Sequence, residues 1–88
     1  MLIEFDTAKD QANQEKHGIP LAAAASLDWG AALIRQDARK NYNEVRYQAL
    51  GMLDDRLCFV AFTVRGDAIR VISMRKANKR EERQYVQT

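Results

Sequence analysis

The sequence predicts an α+β domain with the element order β-α-α-β-β-β-β-α: an antiparallel sheet, two N-terminal helices on one face, and a C-terminal helix across an end. Three observations carry this. Residues 57–76, LCFVAFTVRGDAIRVISMRK, contain two β-rich runs separated by Gly66-Asp67, a pair suited to a tight turn with a residue at positive φ. Residues 44–53 are the clearest period-two segment, with Val45, Tyr47 and Ala49 on one side and Glu44, Arg46 and Gln48 on the other. Asn78, with Glu81 three residues on, forms a capping box that opens a helix over residues 79–87.

The remaining elements follow in chain order. Residues 2–5, LIEF, are a short β-prone run closed by Asp6-Thr7, either of which can cap a helix over residues 7–16. Only Ala8 and Ala12 are apolar there, so this helix is expected to pack by a narrow stripe, with Gly18 as its C-cap and His17 beside it. Pro20 starts a second helix over residues 21–27, whose alanines allow close packing on a sheet, and Asp28-Trp29-Gly30 ends it. Residues 31–35 form a brief apolar strand, and residues 36–43 a polar connection long enough to be mobile. Residues 57–65 are apolar at nearly every position, as in a central strand covered on both faces.

With 88 residues the chain makes one domain, near the small end of what buries a self-sufficient core, so dependence on a partner is reasonable. No stretch approaches the ~20 apolar residues of a membrane span, and the acidic start MLIEFDTAKD lacks a signal peptide's apolar run. The lone Cys58 reads as a small core residue, and the cytoplasm is the expected compartment. Net charge is only +2, but residues 65–83 carry seven basic groups against three acidic ones, which makes the C-terminal third the electropositive end. That asymmetry suits a polyanion or an acidic protein, although a solvated charged face has the same composition.

A two-residue turn at Asp54-Asp55 places Val45, Tyr47 and Ala49 on one face with Val64, Phe62 and Val60, an apolar surface expected to meet the helices. The other face then collects Glu44, Arg46 and Gln48 with Thr63 and Arg65. At Gly66-Asp67 two registers are open. A strict two-residue turn adds Arg70 to the polar face, whereas a three-residue loop with a bulge adds Ser73 and Arg75 instead, because a one-residue slip exchanges faces.

FDTAKDQANQEKHGI, then Glu44-x-Arg46 followed by Ala49-Leu50-Gly51, then IRVISMRKANKRE, together resemble the BrnT family of toxins from type II toxin–antitoxin systems. The resemblance spans nearly the whole chain. It implies a fold similar to RelE-type ribonuclease toxins and a small bacterial toxin that cleaves RNA and inhibits translation. It also implies neutralisation by a BrnA-like ribbon–helix–helix antitoxin, with operator DNA engaged only through that antitoxin.

Cleavage of RNA without a metal uses the ribose 2′-OH as nucleophile, so a protein must position RNA, stabilise the phosphorane and move two protons. One His, one Cys and scattered carboxylates give no metal-ligand spacing, and no Gly-rich phosphate loop or Ser-His-Asp set occurs, so no cofactor is expected. Guanidinium groups match phosphate oxygens bidentately, which makes Arg46, Arg65 and Arg75 candidates for phosphate and transition-state contacts. Glu44, in the same motif as Arg46, joins them, although an Arg65–Glu44 surface pair is the plain alternative. His17 is the one side chain with an ordinary pKa of ~6.5 and hence a candidate acid or base; a helix-terminal His capping carbonyls is the alternative. Lys76, Lys79 and Arg80 are candidate backbone contacts and Tyr85 a candidate base-stacking residue or acid, with solvated charge and packing as their ordinary roles. Trp29 and Tyr42 read as core or partner-contact residues. A non-catalytic nucleic-acid-binding or protein-interaction domain remains the rival class.

Overall fold

A computed structural model describes residues 1–38 and 43–87. Of the expected polar connection, residues 39–42 with Tyr42 lie outside the described residues, and Gln36 and Asp37 belong to β2 instead. Five strands form one sheet: β1 (Leu2–Glu4), β2 (Leu33–Asp37), β3 (Arg46–Leu53), β4 (Arg56–Arg65) and β5 (Ala68–Lys76), in the spatial order β1-β5-β4-β3-β2. The apolar strand β4 is central, as its composition demands. Both predicted hairpins form, with Asp54 at φ 54° and Gly66 at φ 59° supplying the left-handed turn residues. The sheet is not wholly antiparallel, because β1 runs parallel to β5. No hairpin joins these two strands, so β1 is free to take the direction that starts α1 (Thr7–His17) over β5.

Helix α1 is capped by Asp6, whose side chain accepts from the N–H groups of Ala8 and Lys9 at 2.8 and 3.1 Å, and it ends at Gly18 with φ 70°. Those N–H groups hold the Asp6 carboxyl below the usual carboxylate range, and the charge of Arg70 adds to this. The expected Ala8/Ala12 stripe does not pack; both residues are exposed. The inner face of α1 is polar instead. Asn13, buried at 6% exposure, donates to Ile19 O and Met74 O, both at 2.8 Å, and accepts from Met74 N at 3.1 Å. Asp10 accepts from Leu21 N at 2.8 Å. Hydrogen bonds to backbone groups, rather than alanine packing, fix this helix on the sheet.

The expected second α-helix is a 3₁₀ helix, Leu21–Ser26, followed by a 3₁₀ turn, Trp29–Ala31. With three residues per turn, Leu21 and Ala24 fall on one line and both are fully buried; a six-residue element gains little from the wider α spacing. Leu27 then lies on β3, where a Cβ on Gly51 would meet its Cδ2 at 2.9 Å. Gly51 therefore allows the close approach of the 3₁₀ layer.

The β3–β4 register is the expected one, with Tyr47 opposite Phe62 and Ala49 opposite Val60. Ala49, Val60, Phe62, Val71 and Met74 meet Ile19, Leu21, Ala24 and Leu27 in the core. That face is only partly covered, however, since Val45 and Val64 at its open end are 50% and 52% exposed. The helical layer stops short of them. There Trp29 packs edge-on against Phe62 at 5.3 Å, and Tyr47 stacks on Phe62 at 5.5 Å. Helix α2 (Lys79–Val86), opened by the predicted capping box, lies over the end of the opposite face. Among the described residues no helix is long and apolar enough to cross a membrane.

Candidate active site

Both registers considered for the second hairpin occur in one strand pair. A two-residue turn sets Thr63 opposite Arg70 and Phe62 opposite Val71; an irregularity between Ala61 and Phe62 then shifts the ladder, so that Ala61 faces Ser73 and Phe59 faces Arg75. Ile72 is the extra residue. A bulge of this kind lets Arg70, Ser73 and Arg75 share one face of the sheet, which an unbroken period of two forbids.

That face carries a row of polar groups across all five strands. Asp37 on β2 is opposite Arg46 on β3, Thr63 on β4 is opposite Arg70, and Arg70 is opposite Glu4 on β1. The β3–β4 register, carried one residue past Tyr47 and Phe62, sets Arg46 beside Thr63. Thr63 is buried, and its hydroxyl donates to Val45 O at 2.7 Å. Just outside the row, Glu44 bridges two guanidinium groups: Arg65 Nη2 donates to its Oε2 at 3.3 Å, and Arg46 Nε lies 3.8 Å from its Oε1. Gln48, Ala61, Ser73 and Arg35 form the neighbouring row. Its central positions carry the small side chains Ala61 and Ser73.

The far end of the same face is closed. Arg75 makes two charge-assisted hydrogen bonds to Glu81, at 2.7 and 2.9 Å, and its Cζ sits 4.2 Å above the Phe59 ring. The Arg75 hydrogen bonds, with help from the Asn78 N–H, hold the Glu81 carboxyl below the usual carboxylate range. A cleft of about 30 Å³ remains between sheet and helix, lined by Leu33, Arg35, Gln48, Leu50, Phe59, Glu81 and Gln84. It has room for water but not for a nucleobase.

Of the sequence-selected residues, then, Glu44, Arg46 and Arg65 come together in contact. Arg75 shares their face but stands six β4 positions from Arg65, about 20 Å at the ~3.3 Å rise of a strand, and is occupied by Glu81. His17 sits half-buried at the end of α1, in the layer on the opposite side of the sheet. Lys76, Lys79 and Arg80 are exposed around the start of α2, beyond Arg75, and Tyr85 is half-buried on α2. Sequence reasoning missed Arg35, and it left Arg70 and Thr63 out of the site. The bulge that gathers Arg70 with Ser73 and Arg75 has no local sequence mark. Among the described residues no three His, Cys, Asp or Glu side chains gather to hold a metal ion.

A family model described as "Ribonuclease toxin, BrnT, of type II toxin-antitoxin system" matches residues 5–81. The chain belongs to the BrnT family. The crystal structure of the Brucella abortus ribonuclease toxin BrnT is similar over 90% of this chain and 99% of that one, with 29% identity and a TM-score of 0.70. No match was found among curated proteins. A type II toxin works with an antitoxin, so BrnT membership supplies a protein partner as well as a ribonuclease activity. In BrnT terms, all three motifs have structural places, and in the first His17 and Gly18 close α1. The Glu44-x-Arg46 pair opens β3 at the polar row, Gly51 receives Leu27, and Ser73 and Arg75 follow the bulge.

Proposed function

We propose that this BrnT chain is a metal-independent endoribonuclease that cleaves RNA, inhibits translation in the bacterial cytoplasm and is neutralised by a ribbon–helix–helix antitoxin. The observation that carries the reading is the Glu44 carboxylate bridging the guanidinium groups of Arg46 and Arg65 beside the Thr63 row. In the reaction, Glu44 takes the proton of a ribose 2′-OH as its oxygen bonds to the adjacent phosphorus. The bond from phosphorus to the 5′-oxygen then breaks, leaving a 2′,3′-cyclic phosphate, and water protonates the departing 5′-oxygen. Arg46 and Arg65 neutralise the charge that builds on the phosphorane oxygens, a task for which fixed, permanently charged donors are suited. Arg75 acts at a distance, as the strut that seats α2. An acidic antitoxin segment laid over the arginine row would block RNA entry and let the complex reach operator DNA through the antitoxin.

The test is cleavage of RNA by purified protein in EDTA, with three variants. Arg46→Ala is expected to lower kcat by ~10²–10³-fold, as loss of an oxyanion donor does. Glu44→Gln is expected to lower it by ~10²–10⁴-fold, in the range of a lost general base. His17→Gln, on the far side of the sheet, is expected to leave kcat within about threefold. If His17→Gln is the variant that loses activity, or if EDTA abolishes cleavage, the assignment is wrong.

A further inference from the structure

Arg70 lies beside Thr63, two strands from Arg46 on the polar face, and its guanidinium is held less firmly than that of Arg75. The two-residue turn at Gly66-Asp67 sets Arg70 opposite Thr63, and the bulge beyond, which leaves Ile72 unmatched, brings Ser73 and Arg75 to the same face. Among the described residues Arg70 pairs with Glu4 alone, a single contact at 3.5 Å from a three-residue edge strand, with the Arg70 side chain 28% exposed. A guanidinium offers five N–H donors, so most of the fork is unspent, whereas Arg75 is held twice over by Glu81. Its charge nevertheless reaches Asp6, helping to keep that carboxyl ionised. Arg46 and Arg70 lie on β3 and β5 with β4 between them, so about 10 Å separates their backbones at the ~4.8 Å strand spacing. Side chains of this length can therefore reach successive phosphates of one strand.

We infer that Arg70 is a second phosphate-binding site, which holds the RNA phosphate neighbouring the one that is cleaved and is partly masked by the Glu4 carboxylate. This rests on the RNA reading of the face. Arg46 and Arg65 grip the reacting phosphate with Glu44, Thr63 fixes the floor between the two positions, and Arg70 sets the register of the strand. Glu4 lowers the affinity for anions at Arg70 and gives way when one arrives. A binding site of this kind contributes equally to ground and transition states, so its loss appears in KM and not in kcat.

The experiment measures binding of a 2′-O-methyl oligoribonucleotide, which lacks the attacking hydroxyl, to the full chain across a salt series, alongside cleavage kinetics on the unmodified RNA. Arg70→Ala is expected to reduce the slope of log K against log salt by about 0.7, the contribution of one single-stranded phosphate contact, and to raise KM with kcat within about threefold. Arg70→Lys, which keeps the charge, restores the slope. Glu4→Gln is expected to tighten binding about two- to fivefold, the sign opposite to that of a residue that merely props the edge strand. If Arg70→Ala leaves the slope unchanged, or Glu4→Gln weakens binding, Arg70 is a strut between β1 and β5 and the inference fails. In that case a slope still sensitive to Arg46→Ala keeps the RNA reading intact. If the wild-type chain does not bind the oligonucleotide, both fail together.

Discussion

Replacing Asn13 with Ala tests whether polar anchoring holds the helical layer on the sheet. The side chain makes three buried hydrogen bonds, two to the backbone of Met74 and one to Ile19 O, and it is the one buried residue of α1. Each such bond has a net worth of about 1 kcal/mol, so the three sum to about 3 kcal/mol before any penalty for the carbonyls and N–H left behind. Against a domain stability of ~5–15 kcal/mol that is a large fraction. For a domain of this size, about 3 kcal/mol lowers Tm by ~12–24 °C. Thermal unfolding followed by circular dichroism reads the change directly, with Ala12→Gln as the control. Ala12 is exposed, so that variant should stay within ~0.5 kcal/mol of the parent. A fall of less than about 4 °C for Asn13→Ala, or a larger fall for Ala12→Gln, would mean that the alanine stripe and not the asparagine seats this helix.

Three further outcomes follow from single features. Gly51→Ala should cost about 1–3 kcal/mol in urea unfolding, because the new Cβ meets Leu27 at 2.9 and 3.0 Å and the 3₁₀ layer must lift; a neutral result would show that Leu27 can slide away. The folded-state pKa of Glu81 is depressed by Arg75, so the stability it lends is present above its unfolded value, ~4.3, and is lost as pH falls through the folded value. Amide exchange in α2 should therefore accelerate on acidification below about pH 4.5 in the parent, and be fast and less pH-sensitive in Glu81→Gln. Burial pushes the Cys58 thiol up, and its side chain is fully enclosed. A thiol reagent at neutral pH should therefore label Cys58 only after denaturation, and rapid labelling of the native protein would contradict the packing of β4.

The strands were legible because period-two alternation and the Asp54-Asp55 and Gly66-Asp67 pairs are local signals, and a two-residue turn fixes the β3–β4 register by arithmetic alone. Caps were equally local, as Asp6, Gly18 and the Asn78–Glu81 box show. The helical layer was less legible for a physical reason. Asn13 has no apolar signature, and its partners lie in β5 and in the loop after α1, so the pattern of hydrophobic residues points to the wrong face of α1. Likewise Leu21 and Ala24 fit either an α or a 3₁₀ spacing over so short a run, and the tighter one is set by the sheet beneath.

The site divides along the same line. Glu44, Arg46 and Arg65 were recoverable because one hairpin register and one motif place them together, both readable within some twenty residues of sequence. Arg70 was reached by only one of two open registers, and whether Ser73 and Arg75 join it depends on whether the β4–β5 ladder slips; a slip after Phe62 is decided by packing, since Phe62 and Val71 must both stay in the core while Met74 must reach it too. With a strict period of two, Val71 and Met74 fall on opposite faces, and one of them would be exposed. The bulge buries both, and as a by-product it turns Arg70, Ser73 and Arg75 the same way. The arrangement of cations on the polar face is therefore a consequence of core packing on the other. A substitution that relieved the core of its need for the bulge, by removing the demand for Met74, would be expected to redistribute the arginines without touching any of them.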